Sequence, residues 1–207
     1  MKVLIVNGSP KTSGGTHISC EIARGVLNKN GIETEIVNLG KGTVNDCIGC
    51  GACRTTGSCV FGKDDGVNEF IEKAKTADGF IFAAPVYYAH PSARILSFLD
   101  RVFYRGSSAF AHKPGSSINI SRRRGGVASM DVMNKYFTIS QMPVVSSTYW
   151  NEPHFDDEAG AEIDAEGAVT VKNMAENMAW LLKCIESGKN SGIEAPTAER
   201  ARTNFVR

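Results

Sequence analysis

The sequence predicts an α/β protein in which one parallel sheet carries helices on both faces. Two observations lead there. Short, continuous apolar runs alternate along the chain with amphipathic stretches of helical period, and those runs lack the polar alternation of a half-exposed strand, so they read as strands covered on both faces. Right-handed crossovers then place the intervening helices against the sheet, giving a doubly wound domain.

Val3 to Val6, ending at Gly8-Ser9-Pro10, is the first strand. Ile18, Ile22, Val26 and Leu27 stripe a helix over 16–30 that stops at Gly31, a residue suited to a helix C-terminus. A second strand follows over 32–39, a helix over 67–75, and a buried strand over 80–84. Ile95, Leu99, Val102 and Phe103 mark the next helix. A fourth strand over 117–120, a helix over 130–139 and a fifth strand over 144–147 complete the alternation. Met174, Met178, Leu181, Leu182 and Ile185 stripe a last helix. The expected organisation is one domain over 1–187 and a C-terminal tail over 188–207.

With 207 residues, 42% of them hydrophobic, the chain can bury a substantial core. Lys plus Arg number 23 against 22 Asp plus Glu, a formal charge of +1, so no global pull toward nucleic acid or an anionic membrane is expected. The apolar run at the start ends too early for a secretion signal, and no later stretch nears the roughly 18 residues of a spanning helix. A cytoplasmic location is the expectation, and in a reducing compartment clustered cysteines point to metal or redox chemistry before disulfides.

Ligands of such sheets sit beyond the carboxyl ends of the strands. After the first strand, 8–16 supplies Ser9, Lys11, Thr12, Ser13, Gly15 and Thr16 ahead of a helix. Free N–H groups and the dipole at a helix start suit a phosphate monoester; a plain turn with Ser13 or Thr16 as N-cap is the competing reading. No nucleotide-triphosphate or dinucleotide fingerprint is present, so a mononucleotide fits better. After the third strand, Pro85-Val86-Tyr87-Tyr88 sets two aromatics where a flat ligand would lie. After the fourth, Ser121-Arg122-Arg123-Arg124-Gly125-Gly126 offers a local anion site.

The stretch 40–66 has no periodicity and holds Cys47, Cys50, Cys53 and Cys59 in a C-x2-C-x2-C-x5-C spacing with Gly49, Gly51 and Gly57 between. Closely spaced thiolates suit an iron–sulfur cluster, with structural zinc second and free or redox-active thiols third. Cys20 and Cys184 lie on helical stripes and read as buried core residues.

Together, Gly8-Ser9-Pro10-Lys11, the four cysteines followed by Asp64-Asp65, Pro85-Val86-Tyr87-Tyr88, Asp100-Arg101 and the Arg/Gly loop resemble the flavodoxin-like NAD(P)H-dependent FMN reductase family, in particular its iron–sulfur flavoprotein branch. Tyr149-Trp150-Asn151 through His154 and the closing 203–207 are similar to a subgroup of that branch. The resemblance implies a five-stranded sheet in the order 2-1-3-4-5 with a long Cys-rich loop after strand two. It implies that Ser9, Lys11, Ser13 and Thr16 hold the FMN phosphate, and that 85–88 and 121–126 line the ring. Gly15 departs from it, since asparagine is common there, and Gly62-Lys63 lengthens the connection after Cys59.

The expected function is an FMN oxidoreductase carrying electrons from NAD(P)H to a quinone, a flavin or, through a [4Fe-4S] cluster, an electron-transfer protein; the flavin carries the chemistry, so no catalytic side chain is required. An electron carrier without NAD(P)H turnover and a zinc-bearing binding module are the alternatives. A homo-oligomer, dimer or tetramer, is expected to help cover the cofactor through the tail, Trp150 and His154.

Overall fold

The computed structural model describes residues 1–156, 162–199, 201 and 203; the end of the expected C-terminal tail, 204–207, lies outside them. Strand β1 (Lys2–Asn7) leads to α1 (Gly15–Lys29) and β2 (Glu33–Asn38), after which the Cys-rich connection contains a single short helix, α2 (Ala52–Thr56). Then follow α3 (Val67–Thr76), β3 (Gly79–Tyr87), the two-residue β4 (His90–Pro91), α4 (Ala93–Gly106), β5 (Gly115–Ile120) and α5 (Gly126–Ile139). A small hairpin, β6 (Phe155–Asp156) and β7 (Glu162–Ile163), precedes the 26-residue α6 (Ala165–Asn190). Among the described residues no helix is long and apolar enough to cross a membrane.

The sheet runs β2-β1-β3-β5, all parallel, with β4 paired antiparallel to the end of β3. The fifth place is taken by 143–155, which runs along β5 without a continuous ladder, through the isolated bridges Gly115↔Val144 and Ser121↔His154 and the Asn119 N–H donated to the Asn151 carbonyl at 2.9 Å. The expected order therefore holds along the parallel sheet, but 144–147 is not a regular strand. Where a ladder would continue, the Ser116 hydroxyl donates to the Val145 carbonyl at 2.9 Å, and main-chain pairing resumes at Asn119 N to the Asn151 carbonyl, so 145–151 holds more residues than the stretch of β5 it faces. The excess residues bulge outward and are tied to α6, Asn177 Nδ2 donating to the Ser146 carbonyl and Ser147 Oγ to that of Thr170.

Each face of the sheet has its own core. On one side Leu4, Val6, Phe80 and Phe82 meet Phe70 of α3, Phe98 and Phe103 of α4, and Phe137 of α5. Phe70 packs edge-on against Phe98 at 5.1 Å between centroids. On the other, Val3, Ile5, Ile81 and Ile118 pack on Cys20, Ala23 and Leu27 of α1 and Met174 and Met178 of α6. At about 1.5–3 kcal/mol for each large side chain removed from water, these two layers dominate stability and fix the β1, β3 and β5 ends that carry the site.

Candidate active site

Parallel pairing brings the loops after β1, β3 and β5 to one end of the sheet. The first is built on Asn7, fully buried at the end of β1. Its Oδ1 accepts from Ser9 N at 3.0 Å, and its Nδ2 donates to the Lys11 carbonyl at 3.1 Å and to Asn38 Oδ1 at 2.9 Å. Lys11 N donates to Ser9 Oγ at 3.1 Å, which fixes the hydroxyl oxygen in the loop and leaves its O–H to donate. Lys11 and Ser13 are exposed, whereas Gly15 and Thr16 are buried at the start of α1. The N-cap of α1 is Gly14, without a side-chain cap, and no acidic residue lies in the first turn. Neither Ser13 nor Thr16 caps the helix, so its leading N–H groups and positive end fit a phosphate. At Gly15 a Cβ would stand 2.6 Å from Phe155, which accounts for glycine at a position where the resemblance suggests asparagine.

The second loop is a tight two-residue turn. Tyr88 and Ala89 have φ of 53° and 58°, joining β3 to β4 in the left-handed geometry that suits such hairpins but strains ordinary residues. Pro85 and Val86 are half-buried, Tyr87 is exposed, and Tyr88 stands wholly in solvent at the tip. Ser92, just beyond, donates from Oγ to the Gly8 carbonyl at 3.4 Å and ties this loop to the first.

The third loop closes on the second. Gly125 has φ of 105°, and a Cβ there would lie 2.6 Å from Ala89 Cα. Gly126 opens α5 beneath Glu152, where a Cβ would meet Glu152 Cβ at 2.5 Å. Arg122, Arg123 and Arg124 are all exposed, while Ser121 is buried and its Oγ lies 3.2 Å from His154 Nδ1. Sequence reasoning missed both Asn7 as the strut of the first loop and the His154–Ser121 pair; a buried polar residue ending an apolar strand was the available signal for Asn7. The three loops fit a phosphorylated ligand with a flat ring: an uncapped helix start, a hydroxyl and lysine loop, and an aromatic turn.

The four cysteines line a separate small cleft, with Ile48, Val60, Arg101 and Arg105. Cys47 and Cys50 are exposed, and Cys53 and Cys59 partly buried. Among the described residues no three of these thiols close on one point as a single ion would need. Four thiols around one cleft are the donor set of a cubane cluster, and equally of a structural zinc. Cys59 is held most firmly: its N–H donates to Asn68 Oδ1 at 2.8 Å, Asn68 Nδ2 donates to its carbonyl at 3.0 Å, and Arg101 Nε donates to its sulfur at 3.2 Å. Arg101 is buried and ion-paired with buried Asp65. Burial works against its charge, but Asp65 and the Cys59 sulfur more than compensate and hold its pKa above the ordinary arginine value. Of the remaining cysteines Cys20 is buried as expected, whereas Cys184 is exposed, because its position on α6 falls outside the buried stripe.

A family model described as NADPH-dependent FMN reductase matches residues 1–157. The chain is 30% identical over 197 residues to an iron-sulfur flavoprotein of Methanocaldococcus jannaschii, covering 90% of this chain and 100% of that protein. It is likewise 30% identical over 200 residues to an iron-sulfur flavoprotein of Methanosarcina thermophila, covering 92% and 100%. Among solved structures it is similar in fold to an archaeal flavodoxin, at TM-score 0.61 and 12% identity over 88% of this chain and 99% of that one. A flavone reductase superposes at TM-score 0.69 and 16% identity over 90% and 64%. With a parallel, doubly wound sheet, three loops gathered at one end of it and this match over most of its length, the chain belongs to the NADPH-dependent FMN reductase family.

Proposed function

We propose that the protein is an FMN oxidoreductase that takes electrons from NAD(P)H and passes them, through a [4Fe-4S] cluster held by Cys47, Cys50, Cys53 and Cys59, to an electron-transfer protein. The observation that carries the FMN half is the uncapped start of α1 beside the strained Tyr88–Ala89 turn. Ser9, Lys11, Ser13, Thr16 and the first N–H groups of α1 would hold the phosphate, and 85–88 with 121–126 would hold the ring. Bound FMN supplies hydride acceptance and both one- and two-electron chemistry. The chain's own work is positioning: Asn7 fixes the phosphate loop, Gly125 against Ala89 sets the spacing of the two ring loops, and exposed Tyr88 leaves room for donor and acceptor in turn. Arg122 to Arg124, exposed beside this mouth, offer charge to an incoming dinucleotide phosphate.

The cluster half is supported by four thiols on one cleft and by the names of the two archaeal relatives. A homo-oligomer is part of the proposal: Tyr149 and Trp150, 4.9 Å apart between centroids, stand exposed next to the site and suit a subunit contact. The test is purification without oxygen followed by absorption spectroscopy, iron and acid-labile sulfide analysis, and a size measurement. Flavin bands, stoichiometric iron and sulfide, and bleaching by NADH or NADPH are expected. Flavin that neither nicotinamide reduces would leave a carrier; protein that binds no FMN after reconstitution would overturn the proposal.

A further inference from the structure

The Cys-rich connection is fastened to the domain by arginines of α4: Arg94 reaches the Gly42 carbonyl, Arg105 Nε donates to that of Gly57 at 2.5 Å, and Arg101 reaches into the cysteine site itself. Arg101 projects from α4 and distributes its guanidinium among three parts of that connection. Nη1 donates to the Asn45 carbonyl at 3.1 Å, ahead of the first cysteine, and Nε to Cys59 Sγ at 3.2 Å. Both terminal nitrogens reach the Asp65 carboxylate beyond the last cysteine, Nη2 to Oδ1 at 3.2 Å. The Phe61 ring lies 5.8 Å from the guanidinium carbon. The side chains of Arg101 and Asp65 are each 1% exposed, so this charge pair is withdrawn from water and screened little by salt.

Only a planar fork with separate donors can serve a sulfur, a carbonyl and a carboxylate at once, and lysine cannot reproduce it. The donor aimed at sulfur carries the chemical consequence. Hydrogen bonds and positive charge at a cluster's sulfurs favour its more negative, reduced state and raise its reduction potential. Asp65 acts in the opposite sense, offsetting part of that positive charge. Cys47 and Cys50 are exposed beside Gly49 and Gly51, both at positive φ, and Cys53 is partly buried, but only Cys59 is held at its N–H, its carbonyl and its sulfur, so it is the pre-positioned member of the set.

We infer that Arg101 is the positioning residue of the cysteine site: it fixes the Cys59 sulfur by an N–H···S hydrogen bond and, opposed by Asp65, sets the reduction potential of the group those thiolates hold. The inference rests on the cluster reading above, and the two fail differently.

The experiment is a potentiometric titration, monitored by electron paramagnetic resonance, of anaerobically prepared wild type, Arg101→Lys and Asp65→Asn, with iron, sulfide and FMN measured on the same samples. Arg101→Lys keeps a cation opposite Asp65 but removes the donor to sulfur. It is expected to retain FMN and to shift the iron–sulfur midpoint downward, by about tenfold in the redox equilibrium or about 59 mV for one electron. Asp65→Asn is expected to shift it upward. A purely structural role would lower iron content without moving the midpoint of the clusters that remain. Full iron and an unmoved midpoint in Arg101→Lys would overturn the assignment of Arg101 alone. Absence of iron and sulfide from reconstituted wild type would overturn the cluster reading and this inference with it.

Discussion

Gly125 and Ala89 meet backbone to backbone, with 2.6 Å between Ala89 Cα and the place a Gly125 side chain would begin. The contact locks the loop after β5 onto the turn after β3. Gly125→Ala would force alanine to a φ of 105° and push apart two backbones that cannot yield as a flexible side chain could. Strain of this kind costs about 1–3 kcal/mol, so FMN affinity should fall about tenfold or more. Fluorescence titration checks it; unchanged affinity would mean that these two loops do not jointly hold the ring.

The strands and helices that build the sheet were legible because each buries a continuous run or a stripe: Val3 to Val6, Ile95 with Leu99, Met174 with Met178. The start of α5 was not, since Gly125-Gly126 reads as a breaker, yet Gly125 in the left-handed region is its N-cap and the helix starts at Gly126. The fifth strand takes its expected place beside β5 but pairs through isolated bridges, with side-chain contacts such as Ser116 Oγ to the Val145 carbonyl between them, and those leave no periodic trace. The same holds for the site. Loop composition located the hydroxyls, arginines and thiols, but Arg101 and His154 act through distant partners, the Asn45 carbonyl 56 residues away and Ser121 33 away, and spacing along a chain does not record those contacts.

Phe155 fills the space above Gly15 and so replaces a side chain at the head of α1. A Cβ at Gly15 would also lie 2.9 Å from Ile120 Cγ2. Gly15→Ala should destabilise the fold by about 1–3 kcal/mol through overpacking. Phe155→Gly removes both the Cβ and the ring that stand 2.6 Å from that position, so the double variant should lose less than the sum of the two single ones, a coupling that urea denaturation of all four proteins measures. Strict additivity would show that the two positions do not compete for one volume.

The six cysteines should separate by reactivity in metal-free protein. Burial in the core between α1 and the sheet pushes the Cys20 thiol far above its ordinary pKa, leaving it both protonated and inaccessible. Cys47, Cys50 and Cys184 are exposed. Mass spectrometry after brief alkylation under native conditions should find these three modified and Cys20 untouched until denaturant is added. Early modification of Cys20 would contradict the packing of α1.

Glu35 joins β2 to both β1 and α3, accepting from Lys73 Nζ at 2.8 Å and Lys2 Nζ at 2.9 Å. Hydrogen bonds from Lys73 and then Lys2 hold its carboxyl below the ordinary glutamate value, and the same contacts raise both lysines. A carboxylate whose folded pKa is depressed contributes stability above its unfolded value, and that contribution disappears as pH falls through the folded one. For the lysines the sign is reversed: their share is present at neutral pH and disappears as pH rises through their raised values. Each of the three side chains is about one-third exposed, so solvent screening keeps the worth of the network to about 0.5–1 kcal/mol. Glu35→Gln should therefore unfold at lower urea than wild type near neutral pH, with the gap narrowing as pH falls below the ordinary glutamate value of about 4.3 and through the depressed folded one. A gap of the same size in acid would show that Glu35 contributes through its shape and not its charge.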